Sequence, residues 1–309
     1  PTEEALVLYD RVINESTDSV ILARAIYNKA GRLSNSMRKH EAEEVLASAI
    51  PAFEHCREAE EYLDGMYSAY ARIKIFKGEY SSAFENFYKS VNLVRKRRDS
   101  VMLGHLMIDI GMLHYKVRNN TKALELSQAA MKLLTEDASV QFNGYLNSGL
   151  CLAELGFLEL ALQYCDSAFS RTNGRDKYLL HAEFARGFIL LKLGRTSEAR
   201  RFFSSSLNLC RRENDGRMEA DNLLYLAKSW LAESHVDSAL RILREAELVA
   251  KENDTKEILI DIYRTGISIS NQNSNQEELA EFQKKYIALK QYVYTIGLER
   301  SLASLEGDW

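Results

Sequence analysis

The stretch LGFLELALQYCDSAF, residues 155–169, decides the fold, because it returns in altered form as LGRTSEARRFFSSSL at residues 193–207. Both stretches begin with Leu-Gly and place an alanine five residues after that glycine, while most other positions differ. Each alanine also lies 12 residues after a small residue. The pairs that follow this rule are Ala30/Ala42, Ala71/Ala83, Gly111/Ala123, Gly149/Ala161, Gly187/Ala199 and Ala227/Ala239, and a weakened copy is Ile267/Leu279. The period of 38 to 41 residues identifies an internal repeat.

Each repeat predicts two amphipathic helices joined by a tight turn. Apolar residues recur at helical spacing on both halves, as in FARGFILLKL and RFFSSSLNL. The turns carry helix-stop residues, such as Gly78, Gly156 and Gly194, or the pair Asn119-Asn120. Small residues are expected where the two helices of one unit cross closely. A third small residue, seven positions after the second, is expected to contact the first helix of the next unit.

This pattern resembles the tetratricopeptide repeat (TPR) family. The resemblance implies an all-α fold, a right-handed α-α superhelix of about six to seven helix-turn-helix repeats. It rests on Gly111, Gly149 and Gly187 in first helices and on the alanines of the second helices. The repeat of this chain is longer than the usual 34 residues of the family. Longer helices or longer loops between units would account for the difference.

The two ends of the chain depart from the repeat. We predict that the repeat array extends over residues 1–285. Within it, residues 1–16 are expected to form a capping helix or a partial repeat. Residues 286–309 predict an extended terminal helix, with Leu298, Leu302, Leu305 and Trp309 spaced as in a coiled coil. This segment is similar to the exit of TPR sensor regions in bacterial signalling proteins with histidine kinase, DNA-binding or diguanylate cyclase outputs. The alternative is a plain capping helix. The heptad spacing also predicts a homodimer through this helix.

Composition and charge limit the classes of partner and the compartment that we expect for this chain. The net charge is -4, so no overall field attracts nucleic acid or anionic lipid. The basic runs at Arg95–Arg98 and Arg211–Arg212 are isolated and are expected at helix C-termini. No apolar run is long enough to span a bilayer. We therefore expect a soluble segment, cytoplasmic or periplasmic, without nucleic-acid or membrane contact.

Catalytic and metal-binding patterns are missing from the sequence. No phosphate-binding glycine loop, HExxH motif or nucleophile elbow occurs. The four cysteines lack metal-ligand spacing and are expected to be packing residues, with a Cys151–Cys165 disulfide as the alternative. We expect a non-enzymatic chain without cofactor or metal.

The TPR resemblance implies that first helices line a concave groove for a peptide. Matching positions predict an apolar and aromatic middle with basic ends, formed by Arg72, Ile108, Met112, Tyr115, Asn143, His181, Phe184, Phe188, Lys228 and Arg264. The alternative is that the large apolar members only pack against neighbouring helices. Co-chaperone members of the family hold a terminal carboxylate with lysine, asparagine and arginine. Here Ile108 and Met112 replace two of these residues, although Asn147 fits the second asparagine.

Three functions remain open at this point. The first is the sensory or interaction region of a larger bacterial signalling protein, which the terminal segment favours. The second is a free-standing adaptor or assembly scaffold. The third is a regulator-associated enzyme such as a phosphatase, for which no catalytic residue is found in the sequence. In the first two, the partner is a protein or peptide held in the groove.

Overall fold

A computed structural model describes residues 2–35, 38–172 and 174–289. The described residues form fifteen α-helices, one short 3-10 turn at Arg57–Ala59, and no strand. The helices are α1 (Thr2–Glu15), α2 (Ser19–Asn35), α3 (Lys39–Phe53), α4 (Glu60–Lys77), α5 (Tyr80–Arg97), α6 (Ser100–Lys116), α7 (Asn120–Leu133), α8 (Ala138–Glu154), α9 (Leu158–Phe169), α10 (Asp176–Lys192), α11 (Thr196–Glu213), α12 (Gly216–Ala232), α13 (Val236–Glu252), α14 (Lys256–Gln272) and α15 (Gln276–Ala288). Within the described residues, six first-helix and second-helix pairs are in contact: α2/α3, α4/α5, α8/α9, α10/α11, α12/α13 and α14/α15. The predicted all-α repeat fold is confirmed.

The chain divides into two compact units, residues 1–113 and residues 114–309. In unit 1, α2 packs on α3 and α4, and α4 packs on α5. In unit 2, three second helices lie between two first helices: α9 contacts α8 and α10, α11 contacts α10 and α12, and α13 contacts α12 and α14. The core of unit 2 is therefore continuous from Phe142 to Phe282.

Small residues stand where the helices of one pair cross, as the sequence predicts. A Cβ atom added at Gly187 would lie 2.8 Å from the Phe203 ring, and one added at Gly149 would lie 2.9 Å from Cys165 Sγ. Real Cβ atoms do not approach other atoms so closely, so a side chain would push the helices apart. The glycine–alanine spacing is thus a packing requirement of each helix pair.

One detail of the predicted packing is wrong, and another stays a prediction. Two of the third small residues bond within their own unit, since Ser90 donates a hydrogen bond to the Asp64 carbonyl (2.9 Å) and Ser206 donates to the Leu180 carbonyl (2.8 Å), and their contact with the next unit stays a prediction. In the last pair the close crossing lies at Gly266, one residue before the predicted Ile267. A Cβ atom at Gly266 would lie 2.6 Å from the ring of Phe282, which is fully buried.

Most helices are followed by a residue with a left-handed backbone conformation, and three of these residues lie at the turns that the sequence predicts. Gly78, Gly156 and Gly194 have φ of 75°, 90° and 76°. After each, the backbone N–H of the next residue donates to the carbonyl five residues earlier, as from Arg195 to the Leu190 carbonyl at 2.9 Å. This arrangement satisfies carbonyls that a helix end leaves unpaired. The cysteines Cys56, Cys151, Cys165 and Cys210 are all free thiols, so the Cys151–Cys165 disulfide is absent here.

Helices α1 and α15 are the first and last helices of the described residues. The N-terminal helix α1 packs on α2 and buries Leu6. The last helix, α15, continues across the predicted boundary at residue 285 and ends at Ala288. The heptad positions Leu298 to Trp309 lie outside the described residues, so the extended terminal helix and its homodimer stay predictions. Among the helices described, none combines the length and apolarity that a membrane span requires.

Candidate functional site

The first helices of unit 2 form a layer of their own. Helix α8 contacts α10, α10 contacts α12, and α12 contacts α14, with the second helices behind them. Among the described residues of the unit, one face of each first helix therefore has no helix packed over it. We call this surface the inner face of unit 2. Each of its members either has the same position in the helix register as another member or contacts one. The members are Tyr115, Lys116, Arg118, Asn143, Leu150, Glu154, His181, Phe188, Lys192, Arg217, Asp221, Tyr225, Lys228, Glu257 and Asp261.

Ion pairs connect distant parts of the inner face. Lys116 Nζ lies 3.5 Å from Glu257 Oε1, although these residues are 141 positions apart, and Arg217 lies 2.9 Å from the other oxygen of Glu257. Lys116 ends α6 and Glu257 begins α14, with α8, α10 and α12 between them in the array. The first helices of unit 2 therefore bend around the space that their inner faces line.

An aromatic cluster lies at the middle of the inner face. The Tyr225 ring meets Phe184 and Phe188 edge-on, with centroids 5.3 and 5.4 Å apart, and its centroid lies 5.7 Å from that of Phe203. Such edge-to-face contacts are favoured by the ring quadrupoles. Desolvation raises the pKa of Tyr225 well above its usual value, and the nearby Tyr115 and Asp221 raise it further. The phenol is therefore a neutral hydrogen-bonding group on a rigid apolar base.

Asp221 and Lys228 are the charged side chains of α12 that flank this cluster. Within the described residues, neither forms an ion pair or a hydrogen bond, and both are half-buried. Desolvation raises the pKa of the Asp221 carboxyl to about 6, against the opposing effect of Arg217 and Lys116. Desolvation also lowers the pKa of Lys228, whose Nζ lies 4.4 Å from the Tyr225 ring centroid.

The predicted residues of unit 2 fall into two groups. Tyr115, Asn143 and His181 are half-buried, and the Asn143 amide donates to the Ser139 carbonyl of its own helix at 2.9 Å. Desolvation lowers the pKa of His181. Phe188 belongs to the buried core cluster at 5% exposure, and Phe184 is half-buried and packs against that cluster.

Lys228 and Arg264 lie toward the later end of the array. Lys228 reaches over the Tyr225 ring, while the Arg264 guanidinium donates to the Tyr286 hydroxyl at 3.3 Å and pairs with Asp261 at 3.5 Å. Asn147, which fits one position of the carboxylate clamp, is 2% exposed. Neither its amide nitrogen nor its amide oxygen has a hydrogen bond within the described residues.

The predicted residues of unit 1 are Arg72, Ile108 and Met112. Arg72 is already engaged, since its guanidinium lies 2.8 Å from Asp109 and 3.1 Å from Ser68 Oγ. Ile108 is buried at 7% exposure, and Met112 is half-buried. Whether these three bind a ligand stays a prediction.

Several inner-face residues were missed by the sequence prediction, although the repeat register could have found two of them. Asp221 lies six residues before the small residue Ala227, which is the same register as Asn143 and His181. Tyr225 lies two residues before Ala227, in the register of Asn147. No sequence signal pairs Lys116 with Glu257, because that contact depends on how the first helices bend.

The described part of the chain contains no group of three or more His, Cys, Asp or Glu residues placed to hold a metal ion. What the inner face offers is a rigid aromatic centre, a carboxylate and an ammonium group without partners, and ion pairs around them. This arrangement can bind a ligand through apolar contact and charge.

Comparisons with solved structures agree with this architecture. NprR in complex with its cognate peptide NprX is similar over 99% of this chain and 94% of that chain, with a TM-score of 0.72 and 13% identity. A Rap protein complexed with competence and sporulation factor is similar over 96% and 94%, with a TM-score of 0.71 and 12% identity.

A third similar structure names the repeat. It is a signal transduction ATPase with numerous domains from Pyrococcus horikoshii, described as having a tetratricopeptide repeat sensor. It matches 94% of this chain and 47% of that chain, with a TM-score of 0.52 and 15% identity. No family model and no curated protein matches the sequence. These structures and the helix pairs together establish a TPR-type helical solenoid.

Proposed function

We propose that this chain is a TPR module that binds a peptide segment of a partner on the inner face of unit 2. The observation that carries the proposal is the pair Asp221 and Lys228. Charged side chains that are partly removed from water are normally paired, because their desolvation is otherwise uncompensated. Two half-buried charges that have neither an ion pair nor a hydrogen bond in the described residues, beside an aromatic cluster, are what a binding site keeps for a ligand.

The shape of unit 2 favours an extended peptide over a globular surface. The ion pair between Lys116 and Glu257 joins the first and last inner helices, so the lined space is bounded on more than one side. A segment of chain fits such a space and can bury apolar side chains against the Tyr225 cluster. The fold neighbour NprR was solved with its cognate peptide, which supports the same class of ligand.

The wider role that we propose is supported by the sequence of the terminal segment and by one fold neighbour. We place this module, as a non-catalytic part, in a larger bacterial signal-transduction protein, where it serves as a sensory or interaction region. The neighbour with a tetratricopeptide repeat sensor supports this reading. The alternative is a free-standing adaptor. Sequencing the gene on both sides of this segment distinguishes them, because only the first predicts an output domain.

Peptide binding is tested by selecting binders from a phage library of random octapeptides on the folded chain. The blocking variant is Asn143→Trp, which places a large side chain on the inner face and leaves the Tyr225 cluster intact. The matched control is Arg241→Trp, at an exposed position of α13. Circular dichroism confirms that both variants are folded.

The proposal predicts that selected peptides bind wild type and Arg241→Trp equally and lose at least tenfold affinity, about 1.4 kcal/mol, for Asn143→Trp. Equal affinity for all three proteins would remove the inner face as the site. Failure to select any peptide on wild type would refute peptide binding itself.

A further inference from the structure

Helix α12 presents three side chains in a row on the inner face. Asp221, Tyr225 and Lys228 are separated by four and three residues, so they lie on one side of the helix. Seven residues advance a helix by about 10.5 Å. A carboxylate and an ammonium group therefore stand about two helical turns apart, with an aromatic ring between them.

The charged neighbours of this row are occupied with each other. Lys116 and Arg217 both bind Glu257, at 3.5 and 2.9 Å. Asp261 lies 3.5 Å from Arg264. On the other side, Arg118 and Lys192 both bind Glu154, at 3.3 and 3.2 Å. These pairs leave the two ends of the α12 row as the charges that a ligand can satisfy.

We infer that the ligand is a short extended peptide of mixed charge, whose cationic group binds Asp221 and whose anionic group binds Lys228. This inference rests on the proposed function and names the chemistry of its ligand. An extended chain in the polyproline II conformation advances about 3.1 Å per residue with three residues per turn, so side chains three residues apart face the same side about 9 Å apart, close to the distance between the two charges. The two residues between the charged residues of the peptide then lie over Tyr225 and the Phe184–Phe188 edge.

Other ligand chemistries satisfy this row less well. A nucleic acid strand would satisfy Lys228 but would place phosphates against Asp221. A neutral apolar segment would contact Tyr225 and desolvate both charges without compensation. A peptide with two charges of one sign would pair with one end of the row and be repelled by the other.

The test uses four pools of hexapeptides with acetylated and amidated ends. Positions 2 and 5 carry Lys/Glu, Glu/Lys, Lys/Lys or Glu/Glu, and the other positions are random mixtures of neutral residues. Binding to the whole chain is measured by fluorescence anisotropy at pH 7.5 and low salt. The variants are Asp221→Lys and Lys228→Glu. Their matched controls are Asp237→Lys and Arg241→Glu, which reverse the same charges at exposed positions of α13.

The inference predicts that wild type and both controls bind one of the mixed pools at least tenfold more tightly than either like-charged pool. Asp221→Lys should come to prefer the Glu/Glu pool, and Lys228→Glu should come to prefer the Lys/Lys pool. The mixed pool that binds more tightly shows in which direction the peptide lies along α12.

Two results would overturn the inference while leaving the proposed function intact. One is binding of peptides selected from the random library with no preference for a mixed pool. The other is a mixed-pool preference that neither α12 variant changes. If wild type binds neither the pools nor any library peptide, the proposed function fails with it.

Discussion

Replacing Asp221 by asparagine is expected to stabilise the protein while weakening its binding. The pKa of Asp221 rises from an ordinary 3.8 to about 6, chiefly because the surrounding protein removes water from the carboxylate. The folded chain then takes up a proton more readily than the unfolded chain. Ionised Asp221 therefore costs folding free energy at neutral pH, and this cost disappears as the pH falls below the unfolded value.

The magnitude follows from the pKa difference. Two pKa units correspond to about 3 kcal/mol, and partial exposure of the side chain reduces this to about 1–3 kcal/mol. We expect Asp221→Asn to raise the free energy of unfolding by that amount at pH 8. At pH 4.5 the gain should fall to about one third, because wild-type Asp221 is then largely protonated in the folded state.

The assay is urea unfolding followed by circular dichroism at pH 8 and pH 4.5, with Asp237→Asn on the exposed face of α13 as control. Peptide affinity is measured on the same samples. An unchanged or lowered stability at pH 8 would refute the argument that Asp221 is held at a cost for a ligand. An equal gain in stability at both pH values would refute the pKa argument, since the gain would then come from an effect of the amide that does not depend on pH.

Three further predictions concern the fold and its ends. Gly187→Ala should lower stability by about 1–3 kcal/mol, because the new Cβ meets the Phe203 ring, and Phe203→Leu in the same chain should recover part of the loss in a urea titration. Hydrogen bonds from Arg244 and Lys285 lower the pKa of Glu281 to about 2, so its contribution is present above about pH 4.5 and is lost as the pH falls toward 2. Glu281→Gln should flatten that part of the pH–stability curve, and an unchanged curve would exclude this network as its source. Removing residues 290–309 should halve the mass in light scattering if the terminal heptads form a dimer, and an unchanged mass would contradict the dimer.

The repeat fold could be predicted from the sequence because its steric rule is local. Gly187 and Ala199 lie only 12 residues apart and sit in one helix pair, so their spacing reports a contact inside the repeat. The error at Gly266 has the same origin. In the last helix pair the small residue at the crossing lies one position earlier than the repeat spacing predicts. No further repeat follows in which the same shift could be recognised.

The inner face could be predicted only in part. Helical register groups Asn143 with His181, and the same register adds Asp221, while Tyr225 shares the register of Asn147. Register does not say which members are covered, and Phe188 is buried against its neighbours while Lys228 stays half-exposed. The missing partners of Asp221 and Lys228 are a property of tertiary structure, because they depend on Glu257 and Glu154 binding the nearby cations.

Photo-crosslinking with a bound peptide tests the central claim most directly. A library-selected peptide carrying a benzophenone at its central position is irradiated on the folded chain, and the cross-linked residues are mapped by mass spectrometry. Binding at the inner face predicts cross-links on the first helices α8, α10, α12 and α14, centred on the Asp221–Lys228 row. Cross-links confined to the second helices α9, α11 and α13 or to the turns would contradict it.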